Sequence, residues 1–147
     1  MIRYEIASFP LLVYTCNCTD CQTRSGSAFA VNMPVTARGF RLLKGEPKAW
    51  RHTSATGVPV ISWFCGDCGA RLYGERAGRD QIVNVRAGTL DDTSWVVPAA
   101  HFFTRSTSAQ SWVRPAPDAV CIETQPEGWG EMLRAWRASW PEFFPQK

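Results

Sequence analysis

Two short cysteine clusters, at residues 16–21 (CNCTDC) and 65–69 (CGDCG), constrain this chain more than any other feature. Five thiols held in two tight turns form the kind of donor set that a borderline metal such as zinc prefers. In the second cluster, Gly66 and Gly69 can supply the backbone conformations with positive φ that a Cys-x-x-Cys turn uses. The spacing therefore predicts a metal site. A redox-active pair or a fortuitous cluster is the alternative interpretation.

The composition describes one globular domain without a membrane-spanning or secretory segment. The 147 residues are 45% hydrophobic and 20% charged, which is typical of a chain that buries a single core. The longest apolar stretches are too short to cross a bilayer, and the N-terminus lacks the apolar run and cleavage site of a signal peptide. We therefore expect a cytoplasmic protein. The cytoplasm is a reducing compartment, where clustered cysteines bind metal more often than they form disulfides.

The charge balance argues against a nucleic-acid partner and against a membrane-surface role. There are 16 basic and 13 acidic residues, which give a net charge of +3, and the basic residues are scattered along the chain. Proteins that bind nucleic acids or membrane surfaces usually concentrate their basic residues on one stripe or face. The modest excess is compatible with a small anionic ligand.

The first hundred residues have the pattern of short strands separated by turns. Nine segments are rich in β-branched and aromatic residues, and glycines and prolines separate them. The predicted strands are 2–6, 11–14, 29–31, 40–43, 49–51, 60–64, 71–74, 82–85 and 100–104. Their spacing favours an all-β sandwich or a barrel-like arrangement over a βαβ fold. Residues 20–25 are compatible with a single helical turn that carries Cys21.

A proline-containing linker at 114–118 (RPAPD) precedes the one strong helix candidate, 127–140. Apolar residues recur at helical spacing along one face of that segment, namely Trp129, Met132, Leu133, Trp136 and Trp140. Two interpretations of this aromatic face remain open. Either it packs on the β core, or it forms the contact of a homodimer.

The number of potential ligands leaves two arrangements open for the cysteines. A closed structural zinc site takes four protein ligands, whereas a catalytic site takes three and keeps a position for water or substrate. Cys16 and Cys18 could combine with Cys65 and Cys68 in one four-thiolate site, with Cys21 as a nearby free thiol. Alternatively, the three cysteines of the first cluster form an open site and the second pair lies elsewhere. Spacing slightly favours this second arrangement, because three sulfurs within six residues can surround one ion.

Several motifs resemble those of the glutathione-dependent formaldehyde-activating enzymes and their relatives around centromere protein V. In that family, Cys-x-Cys-x-x-Cys is followed by Ser-Gly-x-x-Phe, Cys-Gly-x-Cys-Gly and Gly-Thr-Leu-Asp. The corresponding segments here are 16–21 (CNCTDC), 25–29 (SGSAF), 65–69 (CGDCG) and 88–91 (GTLD), with 2–5 (IRYE), 101–103 (HFF) and 111–113 (SWV) as further matches. The similarity covers residues 2–113 in the order and spacing of the family.

The resemblance implies a mainly β fold, in which an antiparallel β-tent of short strands is built around zinc. Residues 1–113 would then form the zinc-binding domain. Residues 114–147 would comprise the proline linker and a C-terminal amphipathic helix that packs on the domain.

The resemblance also implies roles for the cysteines. Carried over by position, Cys16, Cys18 and Cys21 are the candidate catalytic ligands of a Zn²⁺ ion, and Cys65 and Cys68 are half of a closed structural site. The other half in the family is a Cys-x-Cys motif just before the Ile-Arg-Tyr segment, and the sequence does not contain it. Either the given sequence starts too late to include this motif, or the protein has lost half of that site.

The activity implied by the resemblance is that of a carbon–sulfur lyase acting on a glutathione or other thiol adduct of an aldehyde, such as formaldehyde. A small thiol such as glutathione is then the expected partner. Arg24, three residues after Cys21, is the nearest candidate to contact its carboxylates, and Arg71 follows the second cluster at the same spacing. A solvated surface charge is the simpler interpretation of both arginines. The alternative function is a non-catalytic, zinc-scaffolded binding module.

Five further residues have simpler interpretations. His101, in an apolar segment, is predicted to be a hydrogen-bonded core histidine, and His52 is predicted to be exposed. Cys121 is interpreted as a plain thiol, buried or free. Asp91 and Asp92 are interpreted as a turn that caps backbone amides.

Overall fold

The structure, a computed structural model, describes residues 1–107, 115, 117 and 119–138. In this part the protein is mainly β, with ten strands and two α-helices. The strands are β1 (Arg3–Ile6), β2 (Tyr14–Cys16), β3 (Ala30–Thr36), β4 (Phe40–Lys44), β5 (Lys48–Thr53), β6 (Pro59–Phe64), β7 (Arg71–Arg76), β8 (Ile82–Arg86), β9 (Ala100–Phe102) and β10 (Val120–Ile122). The helices are α1 (Thr19–Ser25) and α2 (Gly130–Ala138). The predicted fold class, mainly β with a C-terminal helix, is confirmed.

Eight strands form one sheet in the order β10-β9-β2-β3-β8-β7-β6-β5, and β1 pairs with β4 in a separate two-stranded sheet. From β2 to β5 every neighbouring pair is antiparallel, as is the pair of β1 and β4. In contrast, β9 runs parallel to both β2 and β10. The expected antiparallel arrangement therefore holds for most of the large sheet but not for this edge.

All nine predicted strand segments overlap an observed strand, with one shift that matters for the site. The segment predicted at 11–14 forms a strand only from Tyr14 to Cys16, so the first cysteine of the cluster belongs to the strand itself. Leu12 and Val13 are fully buried although they precede that strand. The tenth strand, β10, has no counterpart in the prediction, because a three-residue strand after a proline-rich linker is too short to show a period.

The two faces of the large sheet have different chemistry. Side chains alternate along a strand, so Tyr14 and Cys16 lie on the face opposite to Thr15. The pairing register adds four polar residues to the face of Cys16, namely Asn32, Arg86, Asn84 and Ser62, and it places Gly74 and Phe102 on the same face. The other face carries buried apolar residues, including Met33, Val35, Val83 and Val85. The register therefore gathers the polar side chains next to the first cysteine cluster.

Helix α2 lies against the β core through its aromatic face. Trp136 is buried, and Trp129, Met132 and Leu133 pack against the core as half-buried residues. The predicted member Trp140 lies outside the described residues. The homodimer contact and the domain boundary at residue 113 stay predictions. Neither α-helix in the described part of the chain has the length and apolar character that a membrane span requires.

Candidate metal centre

Local chain geometry brings the three cysteines of the first cluster together. Cys16 ends β2, Cys18 is the N-cap of α1, and Cys21 lies in the first turn of that helix. The Cys21 amide donates to the Cys18 sulfur at 3.4 Å, which is the capping bond of the helix. The three sulfur atoms all lie within 4.8 Å of one another, and those of Cys16 and Cys18 are 3.5 Å apart.

This spacing fits a metal ion held by three thiolates. Two sulfurs bound tetrahedrally to zinc at about 2.3 Å are separated by about 3.8 Å. Among the described residues, no fourth histidine, cysteine or carboxylate joins the group. The geometry thus corresponds to the open three-thiolate arrangement considered above, and it does not bring Cys65 or Cys68 to the first cluster.

The three thiols differ in acidity. Hydrogen bonds from Cys16 and Cys18, and then the positive charge of Arg86, lower the pKa of the Cys21 thiol to about 3. The hydrogen bonds that it makes with Cys18 and Cys21 raise the pKa of the Cys16 thiol, and burial raises it further. Of these two thiols, Cys21 is therefore the one whose deprotonation the surroundings favour. A cation that binds here replaces their protons, as metal binding to thiols requires.

Arg86, the last residue of β8, is a candidate that the sequence interpretation missed. Its positive charge lowers the pKa of the Cys21 thiol, and its guanidinium donates to Oδ1 of Asn32. A fixed positive charge therefore lies beside the three sulfurs. No local motif marks this residue. The signal that could have identified it is the register between β3 and β8, which pairs it with Asn32.

The cysteines line a pocket of about 130 Å³ on the polar face of the sheet. Phe102 and Phe103 form part of its wall, and both are buried. Phe103 has a φ of 57°, a left-handed conformation that bulky residues rarely adopt. Such strain persists only where the surrounding structure holds it, and it is common at functional sites.

Arg24 is not the solvated surface charge that the simpler interpretation predicts. Its side chain is 15% exposed, lines the pocket, and lies 3.5 Å from the Asp20 carboxylate and 3.2 Å from Nδ1 of His52. Its guanidinium also stacks on the Trp50 ring at 4.8 Å. The predicted exposure of His52 is wrong as well, because its Nε2 lies 3.0 Å from Oγ of Ser62 and the ring is half-buried. Burial and the charge of Arg24 lower the pKa of His52.

Arg71 is also half-buried rather than solvated. Its guanidinium lies 5.6 Å from the centre of the Trp50 ring, and its Nη2 is buried without a hydrogen-bond partner. Burial, followed by the charges of Arg86 and Arg24, lowers the pKa of Arg71, whereas Cys21 raises it. Three arginines therefore concentrate positive charge beside Cys21. The role of Arg24 as a substrate contact stays a prediction.

The second cluster forms a separate turn between β6 and β7. The Gly69 amide donates to the Cys65 carbonyl at 2.9 Å, and Gly69 has a φ of 72°, as predicted. Gly66 does not have a positive φ. The amides of Cys68 and Asp67 donate to the Cys65 sulfur and lower the pKa of its thiol. Cys65 is buried and Cys68 is exposed, and their role as metal ligands stays a prediction.

The N-terminal ammonium group lies 3.8 Å from the Asp67 carboxylate of this turn. The first residues of the chain and the second cluster are therefore neighbours in space.

His101 and Cys121 lie outside the pocket. The Nδ1 of His101 is 2.8 Å from Oγ1 of Thr15 on the other face of the sheet, which is the hydrogen-bonded histidine that the sequence predicts. Burial lowers the pKa of His101. Cys121 is an exposed free thiol on β10.

The two aspartates of the GTLD segment differ in their partners. Asp92 accepts from the Ser94 amide at 2.9 Å, which is the capping turn that the sequence predicts. Asp91 instead pairs with the Arg3 guanidinium at 2.9 Å. Neither residue lines the cysteine pocket.

The fold and the thiol group together describe a mainly β protein with a candidate metal centre at the end of a strand. The model of the family described as glutathione-dependent formaldehyde-activating enzyme matches residues 1–106. The chain belongs to this family. The match includes both cysteine clusters and ends before β10 and α2.

One similar solved structure is the crystal structure of a Rhodobacter sphaeroides protein, a Northeast Structural Genomics target. It is 17% identical, with a TM-score of 0.49 over 82% of this chain and 91% of that one. No curated protein matches the chain.

Proposed function

We propose that this protein is a zinc-dependent, carbon–sulfur lyase-like enzyme that acts on an adduct between an aldehyde and a small thiol such as glutathione. The observation that carries the proposal is the group of three thiols in a pocket, without a fourth protein ligand among the described residues. Family membership supports the thiol and the aldehyde. Cys16, Cys18 and Cys21 would hold the zinc. A zinc ion bound there lowers the pKa of a thiol ligand, so that its sulfur is a thiolate at neutral pH.

The proposed reaction is a reversible cleavage without oxidation. The carbon–sulfur bond of the hydroxyalkyl thioether breaks, and its electron pair stays on sulfur. The hydroxyl group of the adduct loses its proton as the carbon–oxygen double bond forms. That proton returns to the sulfur when the thiol leaves.

The residues around the thiols have electrostatic and packing roles in this proposal. Three cysteine thiolates and a substrate thiolate carry more negative charge than one divalent cation neutralises. Arg86 and Arg71 lie close enough to Cys21 to offset the excess. Phe102 and Phe103 cover part of the pocket and limit access of water.

Three finer expectations accompany the proposed activity. The fold would be the β-tent of the family, and the location would be the cytoplasm, where the thiols stay reduced. Cys65 and Cys68 would be half of a structural zinc site, which agrees with the backbone amides that point at the Cys65 sulfur.

The test is catalysed exchange of the aldehyde. We expect the zinc-loaded protein to accelerate exchange of ¹³C-formaldehyde between its free form and S-hydroxymethylglutathione, as measured by exchange NMR. Chelation of the zinc should abolish the acceleration, and reconstitution should restore it. An exchange rate equal to the uncatalysed rate in zinc-loaded protein would contradict the enzyme and favour the non-catalytic module.

Replacing Arg86 with methionine is expected to weaken zinc binding without unfolding the protein. The cation next to Cys21 lowers the pKa of that thiol, so its loss makes protons compete better with the metal. Removing a residue that contacts a metal ligand, but not the metal itself, typically lowers metal affinity about 10- to 100-fold. Competition with a chelator, at pH values from 8 down to 5, should show that the variant releases zinc at a higher pH than the wild type does. The exposed Arg51, replaced in the same way, is the control, and equal affinities of both variants would contradict the role of Arg86.

A further inference from the structure

Three polar side chains form a hydrogen-bonded chain that ends at the cysteine pocket. The Arg24 guanidinium lies 3.2 Å from Nδ1 of His52, and Nε2 of the same ring lies 3.0 Å from Oγ of Ser62. Ser62 is buried on β6 and lines the cysteine pocket. The chain therefore connects a positive charge on α1 to a hydroxyl group at the pocket.

The charge of Arg24 fixes the direction of these hydrogen bonds. A guanidinium has only N–H donors, so Nδ1 of His52 must accept. In a neutral imidazole the other nitrogen then carries the proton, and Nε2 donates to Oγ of Ser62. Burial and the charge of Arg24 lower the pKa of His52, which keeps the ring neutral. The Ser62 hydroxyl accepts from the ring, and its own proton is available for an acceptor in the pocket.

A glycine leaves space between this hydroxyl and Asn84. Gly74 pairs with Ser62 on one side and with Asn84 on the other, so all three residues share the face of the sheet that carries Cys16. The Cα atoms of Ser62 and Asn84 are two strand spacings apart, which is about 10 Å. Because Gly74 has no side chain, the space above it, here called the Gly74 gap, is part of the pocket.

The Asn84 side chain adds an unpaired acceptor beside this gap. Its Nδ2 donates to the Tyr14 hydroxyl at 3.1 Å, whereas its Oδ1 is buried without a hydrogen-bond partner. Buried polar atoms are nearly always paired in folded proteins, so this acceptor indicates a bound group. A donor at Ser62 and an acceptor at Asn84 therefore flank the Gly74 gap, and one hydroxyl group satisfies both.

We infer that the Gly74 gap binds the oxygen atom of the adduct, with Ser62 and Asn84 as catalytic residues. Arg24 and His52 are positioning residues, because they keep the Ser62 hydroxyl a donor toward the gap. The hydroxyl group of the adduct accepts from Ser62 and donates to Asn84. As the carbon–sulfur bond breaks, negative charge develops on this oxygen and the Ser62 hydroxyl stabilises it. Neither side chain takes up the proton, which goes to the sulfur of the leaving thiol. The inference rests on the proposed function for the reaction itself.

The first test compares aldehyde exchange by zinc-loaded Ser62→Ala and Gly74→Ala with that of the wild type. Ser62→Ala removes the donor, and Gly74→Ala places a methyl group in the gap. The added methyl group has one neighbour within 4 Å, the Ile61 carbonyl at 3.4 Å, so we expect this variant to fold. Both variants should keep the zinc and the affinity for glutathione, because neither residue belongs to the three-thiol group. Exchange at saturating glutathione should fall at least about 10-fold.

The pocket and its surroundings offer a matched control for each variant. Ser54 also lines the pocket, but its hydroxyl is engaged by Thr56 and by the Val58 amide, so Ser54→Ala should exchange at the wild-type rate. Gly88→Ala adds a methyl group in open space outside the pocket and should also leave the rate unchanged. Wild-type exchange by Ser62→Ala would overturn the inference and leave the proposed function intact. An inactive zinc-loaded wild type would contradict the proposed function, and the inference with it.

The second test does not depend on activity. The chain has two histidines, and ¹⁵N NMR of their ring nitrogens reports the tautomer of each, with His52→Phe to assign the signals. We expect the Nε2–H tautomer of His52 in the wild type at neutral pH, and a mixture of tautomers in Arg24→Met. An Nδ1–H tautomer in the wild type would mean that Ser62 donates to the ring instead of into the gap, and it would overturn the inference.

Discussion

Replacing Cys18 with serine is expected to release the zinc ion that we propose for the first cluster and to reduce the proposed thiol–aldehyde exchange to the uncatalysed rate. The Cys18 sulfur is central to the group, because it lies 3.5 Å from the Cys16 sulfur and accepts the Cys21 amide at 3.4 Å. A serine hydroxyl stays protonated and is a poor zinc ligand compared with a thiolate. Two remaining thiolates should hold zinc at least about 100-fold more weakly than three. Zinc content after dialysis, measured by elemental mass spectrometry, checks this result.

Two other cysteines provide controls for this experiment. Cys121→Ser changes an exposed thiol on β10 and should leave zinc content and exchange unchanged. Cys68→Ser changes the second cluster, which is not part of the three-sulfur group, and should retain the zinc of the first cluster. Release of the same ion by both Cys18→Ser and Cys68→Ser would contradict the open site and favour one shared four-thiolate site.

The three-thiol group could be predicted from sequence because its geometry is local. A strand that ends at Cys16 and a helix capped by Cys18 bring the third sulfur to the same point, without any contact from distant residues. The same holds for the hairpins of the sheet, since alternating apolar residues and turn glycines are both short-range patterns. Local patterns therefore sufficed for the three-thiol group and for most strands.

The surroundings of the thiols could not be predicted in this way because they depend on long-range pairing. Arg86 reaches Cys21 only through the register between β3 and β8, and the solvated interpretation of Arg24 fails because β5 brings Trp50 and His52 against it. Likewise, the parallel pairing of β9 with β2 and β10 joins segments far apart in sequence. It is this pairing that places Phe102 beside the site.

Replacing Phe102 with alanine is expected to give the largest loss of stability outside the cysteines. The side chain is 1% exposed on β9, between β2 and β10. Its ring stacks on Tyr14 at 4.3 Å and meets Trp129 edge-on at 5.5 Å, so its loss leaves a cavity between the sheet and α2. Truncation of a buried phenylalanine to alanine costs about 3–5 kcal/mol in free energy of unfolding. Urea unfolding of the zinc-loaded variant and wild type measures the difference.

The segment that carries Cys16, Cys18 and Cys21 should stay attached to β9 in this variant, because the attachment is made by the main chain of residue 102. The Phe102 carbonyl accepts from the Asn17 amide at 2.9 Å and from Asn17 Nδ2 at 2.8 Å, and alanine keeps both bonds. We therefore expect Phe102→Ala to retain zinc at 10 °C while it unfolds at lower urea than the wild type. Leu43→Ala is the control, since that side chain is 55% exposed and its truncation should cost less than about 0.5 kcal/mol. A loss of equal size in the two variants would mean that Phe102 does not join the sheet to α2.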